Sequence, residues 1–556
     1  MFPPSAARHS GLHTAMRSTL LLAGLCCSAF GVAAEVSVSA QRGATAVSAA
    51  IDTSPVPALP QPSTLPANWQ HGAFMEVFVR AYKDSNGDGV GDLKGLTQQL
   101  DYLKDLGIKG IWLMPITTSA DGDHGYATTN FRAVDPAYGT LEDFDALLRQ
   151  AHARGIGVVM DYVINHSARA HPMFASALAE GPASPFYDWY VWEKEAPEGW
   201  DIWGKYPWTR THKGYYFGTF GKHMPDFNFK NPAVLAYHQS SLRFWLNREL
   251  DGFRLDAVPH LMENSAKDWN DQPESRSLTG ELRALITAYP QRHVVCEATA
   301  KPQVYAAADI CGSAFAFGLE RNIVQAAKGD KKSIQFVADY FVTAPQTMAT
   351  FVANHDIFAG ARLWDQLQGN LRQYKLAAAS YLLQPGTPFI YYGEEIGMAG
   401  IKGLDGDAPL RAPMSWTANT RSAGFTTSDK PFRPIAPNVA RYNVAAQLAD
   451  PHSLLSFYKS MLALRNSLPS LASGSYDAPV VQGRVMAYRR TLGTETTLVT
   501  INYGTTAGQL VLKDLRRRTT FVAAYPQHAK PLQTNAQGTL RLSLPAQSVR
   551  VYTVQP

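Results

Sequence analysis

The chain is 556 residues long, 46% hydrophobic, 11% aromatic and 17% charged, with 42 glycines and 35 prolines. This composition excludes a disordered chain, a collagen-like chain and a coiled coil. Fifty-one Lys and Arg against 46 Asp and Glu leave a formal charge of +5, too slight an excess to point to a nucleic-acid partner.

At the N-terminus Arg17 precedes the apolar stretch Leu20 to Leu25, and small residues follow up to Val32, Ala33 and Ala34. This is the pattern of a signal peptide over residues 1–34 with cleavage near Ala34. The stretch is shorter than the roughly 18 residues a membrane span needs, and no later stretch reaches that length. An exported protein, periplasmic or secreted and without integral membrane association, is therefore expected. Residues 35–66 are rich in Ala, Ser, Val and Pro with few large apolar side chains, the composition of a flexible leader.

From Phe74 onward short β-rich runs alternate with helical stretches. The runs are Phe74 to Ala81, Gly110 to Pro115, Gly157 to Asn165, Asp251 to Ala257, His293 to Glu297, Gly312 to Phe317, Ala349 to Asn354 and Thr387 to Tyr392. Eight such units within residues 67–467 favour an α/β fold of the (β/α)8 TIM-barrel type over an open doubly wound sheet. The longest interval, about 166–228, reads as an inserted domain after the third strand. It carries Trp189, Trp192, Trp200, Trp203, Trp208, Tyr215 and Tyr216, spaced too irregularly for one helix face. These rings suit either a binding platform or the insert's own core. After residue 467 the runs Val485 to Arg490, Thr497 to Asn502, Leu540 to Leu544 and Val549 to Val554 predict a C-terminal antiparallel β-sandwich over 468–556. Beyond the signal, the cysteines are Cys296 and Cys311, which fit a disulfide and two buried thiols equally well.

In a barrel of this kind reactive groups sit where strands end and βα loops begin. Four strand ends carry acids: Asp161, Asp256, Glu297 and Asp356. Arg254 and Asp256 stand two apart in a strand and so point to one side, which sets a cation beside a carboxylate that could act as a nucleophile. Glu297 follows Val294, Val295 and Cys296, an apolar setting suited to a proton donor.

Nearer the N-terminus, Asp84, Asn86, Asp88, Val90 and Asp92 place oxygen donors on alternate residues among three glycines, a pattern suited to Ca²⁺. It matches the first nine positions of an EF-hand loop. Gly95 stands where that loop's bidentate Glu belongs, so an EF-hand is rejected.

As a set, Asp161…Asn165-His166, Gly252-Phe-Arg254-Leu-Asp256, Glu297 and Asn354-His355-Asp356 resemble the alpha-amylase family of retaining α-glucoside hydrolases and transglycosylases. The resemblance runs from about Phe74 to the C-terminus and implies barrel, inserted B domain and C-terminal sandwich. It implies Asp256 as nucleophile, Glu297 as general acid/base and Asp356 as the third acid gripping the sugar. By the same resemblance His124, Tyr126, Asp161, His166, Arg254 and His355 contact the sugar at the cleavage point, with Asp407 and Arg411 beside it. Relatives with this Asp84-to-Asp92 loop bind calcium there. A second calcium between Asn165 and the backbone of His260 is left open, because the sequence names no B-domain carboxylate for it.

The resemblance also implies a bond preference: family members that prefer α-1,6 bonds usually carry Val after the nucleophile and those that prefer α-1,4 usually carry Ala or Thr, so Ala257 makes an α-1,4-glucan or malto-oligosaccharide the expected substrate. Met224-Pro-Asp226-Phe-Asn228 resembles the motif of a group intermediate between oligo-1,6-glucosidases and neopullulanases, with Phe227 in place of the usual Leu. Pro259 replaces a Lys that many amylases use to contact the next sugar, which keeps exo-acting α-glucosidase or transglucosidase action open. A trehalose synthase-like isomerase and a non-catalytic glucan-binding protein are the remaining alternatives. A monomer is expected.

Overall fold

The computed structural model of the chain describes residues 51–554. The expected signal and residues 35–50 of the expected leader lie outside the described residues.

The centre is a closed parallel barrel. Its first strand, Phe74–Val77, pairs with Gly110–Leu113 on one side and Thr387–Tyr391 on the other. The ladder continues from Gly110–Leu113 through Gly157–Tyr162 and Gly252–Leu255 to His293–Cys296. Ala349–Thr350 pairs with Thr387–Tyr391. Residues 313–316 close the ring through parallel bridges of Cys296 to Ala314 and Phe315 to Ala349. The barrel therefore has its eight strand positions, although the sixth contributes isolated bridges rather than a full ladder. The strands at the heart of the sheet are buried along their whole length, as strands covered on both faces must be. They are also shorter than the apolar runs that predicted them. The third ends at Tyr162, because Val163 to Asn165 already belong to the loop above it.

Rings fill the barrel's lower interior, with Phe74 stacked on Phe389 at 4.8 Å and Trp69 5.4 Å from Phe74. Gly110 and Gly157 stand in register with Phe74 and with each other and make room for these rings. A Cβ at Gly110 would lie 2.3 Å from the Phe74 ring, and one at Gly157 2.3 Å from Trp69. Outer helices follow the expected pattern. Leu141–His152 buries Phe144, Leu147, Leu148 and Ala151 at three- and four-residue spacing, and Thr140 with Asp143 forms a capping box at its start.

The expected flexible leader is corrected for its described part. From Asp52 to Leu59 the chain is tied to the barrel, with Arg132 donating to the Ser54 carbonyl at 3.0 Å and Asn247 to the Pro57 carbonyl at 2.9 Å. The Leu59 amide donates to Asn247 at 3.0 Å. Polar partners from the barrel satisfy this backbone, which composition alone could not reveal.

The insert folds around a three-stranded sheet of Trp192–Glu193, Gly214–Phe217 and Trp208–Thr211. Most of its rings pack on one another, Trp192 stacking on Phe174 at 5.6 Å and on Tyr187 at 5.0 Å. Trp203 is the exception, 61% exposed. The insert rejoins the barrel loop where His166 bridges Asp226.

After the short helix Pro469–Ser473, the C-terminal strands start at Ser475 and form a six-stranded antiparallel sheet facing a two-stranded one. Strands Ser475–Gln482, Gly508–Leu512, Thr520–Tyr525 and Leu532–Gln533 join the four legible from sequence. Leu510, Leu512, Leu540, Leu542 and Leu544 pack against Val485, Ala487 and Leu498 between the two sheets. Cys296 and Cys311 are joined in a disulfide, which decides between the two sequence readings.

Candidate active site

The C-terminal ends of the barrel strands converge on one guanidinium. Arg254 is in register with Asp161 of the neighbouring strand, so both point inward, and its Nη1 donates to Asp161 Oδ1 at 2.8 Å. The same nitrogen donates to Asp256 Oδ1, and Nη2 lies 3.0 Å from Glu297 Oε2. Three consecutive strands thus deliver three carboxyl groups to a side chain that is 1% exposed. Trp112 lies under the Arg254 guanidinium at 5.3 Å and donates its indole N–H to Asp161 at 3.3 Å.

The backbone turns sharply just past Asp256. Ala257 adopts φ 50°, and its N–H donates to Glu297 Oε2 at 3.0 Å. That left-handed residue lifts Asp256 to the cavity floor and ties Glu297 to the adjacent strand end.

On the facing side Asp356 approaches His355 Nε2 at 3.1 Å and Arg411 Nη2 at 3.4 Å. His355 Nδ1 meets Glu76 Oε1 at 2.6 Å. The Tyr126 hydroxyl donates to Asp161 at 2.8 Å, and its ring stacks on His355 at 5.5 Å.

Burial and charge act against each other throughout. Burial disfavours a charged His355, yet Asp356 and Glu76 outweigh it and lift the imidazole to about 10. Burial would raise Asp356 too, but His355, Arg411 and Arg254 hold it below the usual carboxylate range. Asp256 goes the other way: burial, with Glu297 and Asp161 close by, pushes it up against the opposing pull of Arg254. Arg254 therefore serves two further acids besides Asp256, Asp161 and Glu297.

A cavity of about 680 Å³ opens above these groups. Its walls include His124, Tyr126, His166, Asp256, Glu297, Asp356, Asp407 and Arg411, so eight of the eleven residues expected at the site line it. Asp161, Arg254 and His355 lie directly beneath as their hydrogen-bonding support.

Sequence reasoning missed four contributors. Glu76 sits in the first barrel strand, buried at 1% exposure, and Trp112 in the second. Asp121 accepts amide hydrogens from Asp123, Gly125 and Ala127 and so shapes the loop that carries His124 and Tyr126. Asp123 pairs with Arg411 and Arg433, each at 3.0 Å. An acid within an otherwise apolar first strand was the available signal for Glu76. Nothing local marked Asp123, whose partners lie some three hundred residues away.

The Asp84-to-Asp92 loop has the expected alternation, with Gly87 at φ 84° and Gly89 at φ 94° making its turns. Asp84 accepts from the amides of Asn86, Gly87 and Gly89 at 2.7 to 3.0 Å, and Asp92 caps the following helix through the Gly95 amide at 2.7 Å. Asp84 and Asp92 are 4% and 5% exposed, and among the described residues neither has a Lys or Arg at ion-pair distance. Among the described residues no three acidic, His or Cys side chains converge on one point. The side chains of Asp84, Asn86, Asp88 and Asp92 with the Val90 carbonyl are all-oxygen donors of the kind calcium takes, and in this structure the Asp84 and Asp92 carboxylates are engaged by the loop's own hydrogen bonds.

Asp226, at the end of the insert, is buried at 1% exposure. Burial raises it to about 7, and it accepts from Thr219 and lies at the Asn165 side chain. Among the described residues, none of the helices is long and apolar enough to cross a membrane.

Comparison with known proteins agrees with this geometry. The family profile "Alpha amylase, catalytic domain" matches residues 76–474. "Alpha-amylase 3" of Dictyoglomus thermophilum is 34% identical over 446 residues, covering 78% of this chain and 85% of that protein. "Trehalose synthase/amylase TreS" of Mycolicibacterium smegmatis is 35% identical over 477 residues, covering 74% of this chain and 79% of that protein. The crystal structure of an alpha-amylase from H. orenii superposes with a TM-score of 0.76 at 30% identity, covering 87% of this chain and all of that one.

Proposed function

The chain belongs to the alpha-amylase family of glycoside hydrolases, and from that premise we propose that it is an exported enzyme cleaving α-1,4-glucosidic bonds of malto-oligosaccharides with retention of configuration. The observation that carries this reading is the gathering of Asp256 and Glu297 on the single Arg254 guanidinium at the cavity floor.

Asp256 attacks the anomeric carbon while Glu297 protonates the glycosidic oxygen, giving a covalent glucosyl-enzyme and a released sugar. Glu297 then takes a proton from water, which attacks the same carbon and expels Asp256. Two inversions restore the α configuration, and the carboxyl separation expected for this route is about 5 to 5.5 Å. The charge that Asp256 needs is supported by Arg254, and Asp161 holds Arg254 in place from below. Asp356, held from below by His355, grips the hydroxyls of the bound glucosyl unit, with Tyr126 stacked beneath it and His124, His166, Asp407 and Arg411 around it.

Calcium has a structural role in this reading, held by Asp84, Asn86, Asp88, Asp92 and the Val90 carbonyl. When bound there it would neutralise the buried Asp84 and Asp92 carboxylates and fix the loop that precedes the helix Leu93–Gln98. A second ion between Asn165 and Asp226 would join the insert to the barrel.

One observation favours exo action. Arg411 is held by Asp123, Asp356 and Asp407 at 3.0 to 3.4 Å, which makes an ion-pair wall beside Asp356. With the cavity closed off there, glucose would leave from the chain end, by hydrolysis or by transfer to another sugar. A relative named as a trehalose synthase/amylase is compatible with such transfer.

A product time course on maltoheptaose, with Asp256→Asn as control, tests the proposal. Glucose of α configuration from the first minutes supports exo cleavage, and mid-sized oligomers support endo cleavage. Turnover that survives in Asp256→Asn would refute the assignment of the nucleophile.

A further inference from the structure

The tip of a hairpin in the insert carries a strained and exposed ring. Ile202 and Lys205 exchange backbone hydrogen bonds at 2.8 and 3.0 Å, which leaves Trp203 and Gly204 as the two central residues of a tight turn. Both have positive φ, 51° and 80°. A turn of this type prefers Asn-Gly, because a bulky side chain in the left-handed region costs about 1 kcal/mol or more. The sequence has placed a Trp there instead, and 61% of it is exposed. Neither burial nor backbone preference explains it, and strain of that kind concentrates where a side chain has work to do.

The ring's surroundings define that work. Trp203 lines the cavity together with Lys205, Phe220, His260, Glu297 and Thr299. Its ring meets Trp269 at 5.5 Å and 89°, His260 at 5.5 Å and 80°, and Phe220 at 5.8 Å and 45°. None of the three stacks flat on it. His260 and Trp269 stack on each other at 13° and brace the hairpin from behind. Tyr126, Asp356 and Arg411, which would hold the glucosyl unit being transferred, line the same cavity, and the Tyr126 ring is not among those that meet Trp203.

We propose that Trp203 is the platform for the second sugar, the pyranose ring that leaves during cleavage and that enters as acceptor during transfer. This rests on the α-glucosidase reading above and assigns to one residue the specificity on the leaving-group side. The apolar face of a pyranose lies on the indole, and the Lys205 ammonium beside it is placed to donate to hydroxyls. Pro259 removes the contact that a Lys supplies in many relatives, and the Trp203 hairpin supplies a different one from the insert.

The test compares two substrates in the full-length protein. Maltotriose has sugar on the leaving side; α-glucosyl fluoride has none. For Trp203→Asn the ratio of kcat/KM for maltotriose to kcat/KM for the fluoride is expected to fall by about tenfold or more, while Trp203→Phe stays within about threefold of wild type. Because Asn suits the turn, the Tm of Trp203→Asn is expected to equal or exceed that of wild type. Trp203→Leu, which keeps an apolar side chain without a ring, carries the same kinetic expectation as Asn and serves if the Asn variant fails to fold. A ratio within twofold of wild type in either non-aromatic variant, from wild-type protein that turns over both substrates, overturns the platform. Wild-type protein inert on both overturns the α-glucosidase reading itself, and the platform with it.

Discussion

The Nδ1 atom of His355 lies 2.6 Å from a carboxylate oxygen of Glu76, a residue 279 positions earlier in the chain and in the first barrel strand. This contact and Asp356 on the other ring nitrogen make His355 a buried imidazolium at neutral pH rather than a group that titrates near its ordinary 6.5.

A pH dependence follows from the raised value. His355 at about 10 in the folded state, against 6.5 when unfolded, contributes stability that is fully present below about 6.5 and is lost as pH rises through about 10. Glu76→Gln removes one of the two anions, so the alkaline limb of kcat/KM is expected to move down by about one unit or more. Denaturant unfolding between pH 7 and 10.5 should show a shallower alkaline loss in the variant. An alkaline limb and unfolding profile identical to wild type would show that Glu76 does not set the charge of His355.

Product length responds to Asp123. With Asp123→Ala, Arg411 loses the partner that fixes it from behind, and the wall beside Asp356 opens. The expected outcome on maltoheptaose is a rise in maltose and maltotriose relative to glucose among early products, with total turnover reduced about tenfold or less. Chromatography of the first minutes of reaction decides it, and glucose as the sole early product in both proteins would contradict the wall.

Calcium removal is expected to lower stability while leaving the fold intact at room temperature. An ion at one hundred times its Kd stabilises by about 2.7 kcal/mol. Calorimetry with and without a chelator should then give a Tm shift of several degrees that Asp84→Ala abolishes. No shift, and no heat on titrating calcium into chelated protein, would leave the loop as a turn held by its own hydrogen bonds.

The disulfide closes a short loop next to Glu297, with a sequence separation of 15. Loop-closure entropy for that length gives about 3 kcal/mol. Replacing Cys296 and Cys311 together by Ala is expected to lower the free energy of unfolding by roughly that amount, measured by denaturant unfolding under oxidising conditions. A variant as stable as the wild type would mean that the strand pairing around Cys296 already fixes the loop.

How much of the site was legible depended on where its residues sit along the strands. Asp161, Arg254, Asp256 and Glu297 could be read because period-two alternation and strand ends carry the information locally. Glu76 was not, since one acid in an apolar strand has many readings until its partner is known. Most of the insert's rings proved to be core, and irregular spacing could not separate them from Trp203, whose exposure follows from a turn two residues long. The leader was misjudged from Asp52 to Leu59 because its apolar content is low, whereas its attachment comes from backbone hydrogen bonds that composition does not record.

By itself the sequence determined the barrel, the insert, the sandwich and the four acids at strand ends, because periodicity and strand-end chemistry are written over a few neighbouring residues. Only the tertiary structure decided that one guanidinium gathers three of those acids, that Glu76 meets His355, that Asp123 pairs with Arg411 and that Cys296 joins Cys311. Each of these is a meeting of side chains brought together when the barrel closes, and burial there makes every charge depend on its neighbours.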